Sequence, residues 1–145
     1  MSRENVEVVR AAVGGRTVFD MLQLFEADEF PPDIDLSVFD PDLKIEFQPR
    51  VDEQDFSGIA GLVEGWREWL SAWSQYEAHV EEYVAAGDHV VMLVRLRGET
   101  RHDHVVIEQP AAVVYTLADG KVVGMTFHLD RRQALEEAGR VDLLS

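Results

Sequence analysis

The chain has 145 residues, contains no cysteine and carries a formal net charge of −15. This length is typical of one domain with a proper core, and residues 1–145 are therefore expected to form a single domain. The negative charge repels phosphate groups, so neither nucleic acid nor an anionic membrane is an expected partner. No apolar run could span a bilayer, and the acidic N-terminus lacks the apolar segment of a secretory signal, so the expected location is the cytoplasm.

The first part of the sequence predicts two helices and a strand. Ser2–Ala12 has the spacing of an amphipathic helix, and the glycine pair that follows should end it. A second helix is predicted from Thr17 to about Ala27, before a proline pair ends helical structure. An acidic connection with one helical turn then leads to Leu43–Phe47, where apolar and polar residues alternate as in a strand.

The stretch Ser57–Gln75 contains all three tryptophans of the chain. On a helix of about 3.6 residues per turn, the bulky apolar side chains fall on one stripe roughly 100° wide. These side chains are Leu62, Trp66, Trp69, Leu70 and Trp73. The stripe predicts a helix that begins at its N-cap Ser57 and packs on a sheet, with indoles available to line a pocket.

Four strand patterns follow the tryptophan stretch. They cover Tyr76–Ala86, His89–Gly98, His104–Leu117 and Lys121–Leu129. Short turn signals between them predict an antiparallel meander, and Pro110 predicts a sheet edge or a bulge inside the third strand. A last helix is predicted over Arg131–Ala138, between the caps Asp130 and Gly139. Helices gathered on one side of an antiparallel sheet indicate an α+β fold.

The combination of these segments resembles the SnoaL-like polyketide-cyclase family, within the nuclear-transport-factor-2-like superfamily. The resemblance is carried by Gly58–Gly61, Glu68–Tyr76, Ala86–Gly98, Tyr115–Val123 and Leu129–Gly139. It implies a cystatin-like cone, in which a curved antiparallel sheet wraps around N-terminal helices and leaves an apolar cavity at its open end. It also implies a homodimer formed through the outer face of the sheet. Its relatives include isomerases, epoxide hydrolases, cyclases, dehydratases and binding proteins without catalysis.

Eight side chains are candidate site residues. Seven are expected to line a ligand cavity: Phe47, Trp66, Trp69, Trp73, Tyr83, Arg95 and Tyr115. His128 is the candidate catalytic acid or base, because an imidazole titrates near neutral pH. Strand alternation places His128 on one face of the last strand and Phe127 on the other, and the sequence leaves open which face meets the cavity.

Other polar residues offer weaker alternatives. His102 and His104 share a strand face with Glu108 and could form a two-histidine, one-carboxylate metal site. The histidines lie near a predicted turn, however, and we expect no metal. Glu81 and Glu82 point to opposite faces of their strand, so one of them could face the cavity and act as a base with a raised pKa.

The catalytic groups of two enzyme branches do not map onto this chain. Epoxide-hydrolase relatives use an Asp-Arg-Asp arrangement, and the carboxylate expected two residues after Arg95 is replaced here by Arg97. Ketosteroid-isomerase relatives use a tyrosine on an N-terminal helix, and this chain has no tyrosine before Tyr76. We therefore expect a small-molecule-binding protein with an apolar cavity for a hydrophobic ligand and no cofactor. The alternative is a cofactor-independent isomerase, cyclase or dehydratase with a histidine acid/base in the cavity.

Overall fold

The computed structural model describes residues 2–26, 30–48 and 56–139. Its helices are α1 (Ser2–Ala12), α2 (Met21–Glu26), α3 (Gly58–Leu70) and α4 (Arg131–Glu137). Its strands are β1 (Val18–Asp20), β2 (Phe39–Gln48), β3 (Phe56–Ser57), β4 (Trp73–Ala86), β5 (His89–Thr100), β6 (Val106–Ala118) and β7 (Lys121–His128). Within these ranges, none of the helices has the length and apolar character needed to cross a membrane.

The strands form one curved, open sheet with the order β1-β4-β5-β6-β7-β2-β3. The predicted antiparallel meander is confirmed as β4 to β7. β2 runs parallel to β7, however, so the sheet is mixed and not entirely antiparallel as the sequence indicated. Together with the four helices, this sheet makes the predicted α+β fold.

The sheet has an inner face and an outer face with separate apolar clusters. The inner face carries the main core, and α1, α2 and α3 pack against it. α4 lies on the outer face, where Ala134 and Leu135 pack with Val91, Ala112 and Val114.

Two irregularities in strand pairing decide how side chains are shared between the faces. Glu81 is an extra residue in β4 that has no partner in β5, which is the pattern of a β-bulge. A second shift occurs in β7, between Val122 and Gly124. As a result, Val122 and Met125 are both buried in the inner core, although strict alternation would place them on opposite faces.

The tryptophan stretch divides between a helix and a strand. α3 ends at Leu70, and Trp73 is the first residue of β4, so the prediction that one helix carries all three indoles is wrong. Trp73 packs on the ring of Tyr76, with 4.9 Å between the ring centroids. It also occupies the space left open by Gly98 in β5, where a Cβ would lie 2.5 Å from Trp73 Cε3. These contacts with distant residues favour a strand over a longer helix.

Most other differences concern the ends of elements. Residues 18–20 of the predicted second helix form β1, which pairs with β4, and only α2 is helical. The predicted end of that helix at Ala27 lies outside the described residues. Pro110 lies beyond the end of β7, whose pairing with β6 begins only at Ala112, so the predicted local sheet edge is confirmed. Asp130 caps α4 as predicted, by accepting the backbone N–H of Arg132 at 2.9 Å.

Candidate functional site

An apolar cavity of about 120 Å³ lies between the inner face of the sheet and the N-terminal helices. Its wall is built mainly from aromatic rings, leucines and methionines. The rings belong to Phe19, Phe25, Phe30, Phe39, Phe47, Trp66, Trp69, Tyr76, Tyr115 and Phe127. The methionines are Met21, Met92 and Met125.

Trp66 is the centre of the aromatic wall. It is only 5% exposed. Its ring meets Phe127 and Phe47 edge to face, with centroids 4.7 and 5.5 Å away, and stacks on Phe25 at 5.6 Å. Gly65 lets α3 approach this cluster, because a Cβ there would lie 2.6 Å from Phe47 Cε2. The helix, the second strand and the last strand therefore meet at one indole.

Four of the seven predicted cavity residues lie in the wall. They are Phe47, Trp66, Trp69 and Tyr115. Phe47 and Tyr115 reach it because their positions in β2 and β6 face inward, opposite Phe127 and Met125 of β7. Their assignment as ligand-binding residues stays a prediction.

The other three predicted cavity residues do not line the cavity as the structure describes it. They are Trp73, Tyr83 and Arg95. Trp73 packs against the ring of Tyr76. The guanidinium of Arg10 lies over the ring of Tyr83, with 5.0 Å between Arg10 Cζ and the ring centroid. Arg95 lies on the outer face, where its Nε is 3.7 Å from Glu81 Oε2. Its assignment to the cavity is therefore wrong, because the inward positions beside it belong to Val94 and Leu96.

One ring nitrogen of His128 points away from the cavity, and the other, the buried Nδ1, has no hydrogen-bond partner among the described residues. The residue borders the cavity, but its Nε2 lies 3.1 Å from Glu137 Oε2 of α4. Its partner in β6 is Ala112, which belongs to the outer cluster. The inward position next to it is filled by Phe127. The role of His128 as an acid or base stays a prediction, since Glu137 engages only its Nε2.

The alternative acids and metal ligands lie outside the cavity as well. The bulge places Glu81 on the outer face, where a hydrogen bond from Arg131 lowers the pKa of its carboxyl. Glu82 is exposed and pairs with Leu93, so neither glutamate faces inward. In the part of the chain that the structure describes, no three histidine, aspartate or glutamate side chains are grouped so that they could hold a metal ion.

The two tyrosines of the wall, Tyr76 and Tyr115, are neutral at physiological pH. Burial raises the pKa of Tyr76 to about 12, although a hydrogen bond with the side chain of Trp69 acts in the opposite direction. Burial also raises the pKa of Tyr115, and nearby Tyr83 adds to the effect. The described wall contains no aspartate, glutamate, lysine or arginine. Apart from His128 at its border, the described wall therefore offers hydrogen bonds and apolar surface without formal charge.

Sequence reasoning did not identify Tyr76, Met92 or Met125 as wall residues. Tyr76 stands directly after the predicted helix, and the true strand begins three residues earlier, at Trp73. Met92 belongs to an apolar run that occupies both faces of β5, so the alternation of polar and apolar residues could not predict which face Met92 occupies. For Tyr76 a signal existed, because Tyr76, Ala78 and Val80 alternate with polar residues and face the same side.

The tyrosines give a pH test of this burial. The pKa of each of Tyr76, Tyr83 and Tyr115 is raised in the folded protein, which favours the neutral phenol. Their contribution to stability is therefore fully present below about pH 10, the unfolded pKa, and is lost as the pH rises through the folded values. We expect the ultraviolet absorbance of phenolate to appear well above pH 10 and together with unfolding. In concentrated urea the same titration should centre near about pH 10, and a native curve that also centres there would contradict the burial.

Comparisons with known proteins give a consistent picture of the fold. A family model for the SnoaL-like domain matches residues 18–125. Among solved structures, a candidate SnoaL-like polyketide cyclase from Jannaschia sp. CCS1 is 22% identical, with a TM-score of 0.65 over 96% of this chain and 93% of that one. TerC, co-crystallised with polyporic acid, is 19% identical, with a TM-score of 0.64 over 94% and 98%.

A third structure, from Catenulispora acidiphila, has a ketosteroid-isomerase-like fold and was solved in complex with trimethylamine. It is 14% identical, with a TM-score of 0.58 over 96% of this chain and 95% of that one. None of the curated proteins matches the sequence significantly. At these identities the solved structures support the fold, and they leave the ligand to be argued from the cavity itself.

Proposed function

The chain belongs to the SnoaL-like domain family, and on this premise we propose that it is a small-molecule-binding protein whose cavity holds a compact hydrophobic ligand. The observation that carries the proposal is the composition of the wall, in which aromatic and aliphatic side chains surround a few neutral polar groups. Small-molecule sites generally have this character. TerC and the Catenulispora protein were each solved with a small organic molecule, which agrees with this class of function.

The volume of the cavity limits the size of the ligand. An apolar cavity of roughly 150 Å³ engineered in another protein binds benzene. The cavity here is of about 120 Å³, so it suits a single ring with small substituents. A polycyclic ligand would require the wall to move, and that movement would cost packing energy around Trp66.

The chemistry of the wall favours binding over proton-transfer catalysis. Cofactor-independent isomerases and cyclases need a base that removes a proton from the substrate. In the described wall there is no carboxylate, the pKa of Tyr76 is about 12, and Nε2 of His128 is hydrogen-bonded to Glu137. These facts support a binding protein more strongly than the enzyme alternative.

Small aromatic probes test the proposal. We expect toluene to raise the thermal unfolding temperature in a saturable way and to change the tryptophan fluorescence, because it would bind beside Trp66 in the folded state only. Ala78→Leu extends a side chain from the inner face of β4 into the cavity and should weaken binding at least about tenfold, or about 1.4 kcal/mol. Ala118→Leu, at an exposed position of β6, is the matched control and should leave binding unchanged. Equal affinities in the two variants would place the probe elsewhere.

The homodimer through the outer face also stays a prediction. Part of that face is charged on three adjacent strands, where Glu77 of β4 pairs with Arg97 of β5 and Arg97 pairs with Glu108 of β6. A second copy seated there would have to pair these charges across a twofold axis. Sedimentation that shows only monomer at micromolar protein would contradict the dimer.

A further inference from the structure

His128 carries a buried polar atom that is left unpaired. The residue is only 6% exposed. One ring nitrogen, Nε2, lies 3.1 Å from Glu137 Oε2. The other, Nδ1, is shielded from solvent and has no hydrogen-bond partner within residues 2–26, 30–48 and 56–139. Buried polar atoms in proteins are nearly always paired, so Nδ1 is a candidate contact for a bound molecule.

The open space beside this residue is the apolar cavity. β7 ends at His128, and the wall of the cavity includes Phe127, His128 and Leu129. Ala112, the partner of His128 in β6, also belongs to the wall. The cavity therefore reaches the end of β7, where residues from both faces of the sheet contribute to it. A molecule bound there lies next to the imidazole, and Nδ1 is the nitrogen that remains available.

Glu137 determines the hydrogen-bonding character of Nδ1. An ionised carboxylate can only accept, so Nε2 of His128 donates to Glu137 and carries the proton of the neutral ring. Nδ1 then presents a lone pair, because a neutral imidazole has one donor nitrogen and one acceptor nitrogen. Ala134 and Leu135 fix α4 on the outer face, and α4 in turn positions the carboxylate. The outer helix thus prepares an acceptor at the border of the cavity.

We propose that His128, positioned by Glu137, is the polar anchor of the cavity and selects neutral ligands that donate a hydrogen bond, such as a phenol. This inference rests on the proposed binding function and adds the chemical class of the ligand. Hydrocarbons of equal shape leave Nδ1 unpaired, which costs free energy in a buried site. Ketones and ethers offer only acceptor oxygens, which cannot pair with the lone pair of Nδ1. A cavity of about 120 Å³ suits one ring that bears a hydroxyl group.

The test compares phenol with toluene, in which a methyl group replaces the hydroxyl group. We expect His128→Phe to weaken phenol binding about tenfold, since one hydrogen bond is lost, and to change toluene binding less than about twofold. Benzaldehyde, whose oxygen can only accept, should keep its affinity in this variant. If benzaldehyde is weakened as much as phenol, Nδ1 acts as a donor and the proposal is wrong.

The role of Glu137 has a matched control on the same helix. Glu137→Gln should weaken phenol at least about threefold, because an amide can also donate to Nε2 and so move the ring proton to Nδ1. Glu136 pairs with Arg132 at the surface, and Glu136→Gln removes an equal charge from α4. This control should leave the affinities for phenol and toluene unchanged. Equal phenol affinities in the two variants would overturn the positioning role of Glu137.

A second measurement keeps the proposal testable if His128→Phe folds poorly. In nitrogen NMR spectra of the wild type, Nε2 of His128 should be the protonated ring nitrogen, and phenol should shift the resonance of the unprotonated Nδ1 more than toluene does. If neither probe binds the wild type, the binding function itself fails. If both bind but His128→Phe leaves the ratio of their affinities unchanged, or if Nδ1 carries the proton, the anchor is wrong and the cavity proposal stands.

Discussion

Trp66→Ala is expected to lower the free energy of unfolding by about 3–5 kcal/mol, the usual cost of removing a large aromatic side chain from a core. Trp66 is 5% exposed and its ring contacts Phe25, Phe47 and Phe127. Removal of the indole therefore separates α3 from the two strands that it joins. Because domains of this kind have a total stability of about 5–15 kcal/mol, the loss is a large share of the whole.

Trp69→Ala is the matched control for this result. Trp69 lies one helical turn further along α3 and is only partly buried, and its ring contact with Trp73 has centroids 6.5 Å apart. We expect a smaller loss, about 1–2 kcal/mol. Urea denaturation of both variants measures the difference. If both variants lose the same free energy of unfolding, Trp66 contributes no more to the stability of the aromatic wall than Trp69 does.

Arg131→Ala is expected to lower the free energy of unfolding by about 2–3 kcal/mol, because it leaves buried carbonyl groups without their charged donor. The guanidinium donates to the carbonyl oxygen of Val94 at 2.7 Å and to that of Ala111 at 3.2 Å, and it pairs with Glu81. The side chain of Glu81 is 41% exposed, so solvent screens that pair and we assign it little of the loss.

Arg132→Ala provides the control at the next position. Arg132 is 72% exposed and pairs only with Glu136, at 3.2 Å, among the described residues. Such a surface pair contributes less than about 0.5 kcal/mol. Native-state hydrogen exchange of the α4 amides should therefore accelerate in Arg131→Ala and stay nearly unchanged in Arg132→Ala. If both variants exchange alike, Arg131 does not fasten α4 to the sheet.

The pH dependence of this effect follows from the pKa of Glu81, which is lowered in the folded state. The contribution of Glu81 is therefore present above the unfolded pKa and is lost as the pH falls through the folded pKa. The exchange difference between Arg131→Ala and wild type should shrink on acidification. The part that persists at low pH measures the bonds to the backbone of Val94 and Ala111.

The order of elements could be predicted because local chemistry marks their ends. Gly87 and Gly120 adopt left-handed backbone angles at the two tight turns, with φ of 62° and 76°. Asp130 begins α4 through a side-chain bond to its first turn. Each of these signals depends on neighbouring residues alone, so one sequence suffices to find it.

The faces of the strands could not be predicted in the same way, because they depend on pairing with distant strands. A shift of one residue moves every following side chain to the other face. The bulge at Glu81 and the shift before Gly124 are such events, and neither has a local signature. For this reason sequence reasoning could not decide the face of His128. Arg95 is a different case. The family resemblance predicts that its side chain faces the cavity, whereas its alternation with the inward Val94 and Leu96 predicts that it faces outward.

The parallel pairing of β2 with β7 has a consequence for the synthesis of the chain. Ile45 finds its partner only when Met125 has been made, so the inner face is incomplete until nearly the whole domain has left the ribosome. Contacts between such distant positions close late and slow the folding reaction. In that interval the rings of α3 and β2 are exposed to other chains. The net charge of −15 then makes incompletely folded chains repel one another, which opposes aggregation. The acidic surface thus has a role in folding that is independent of any ligand.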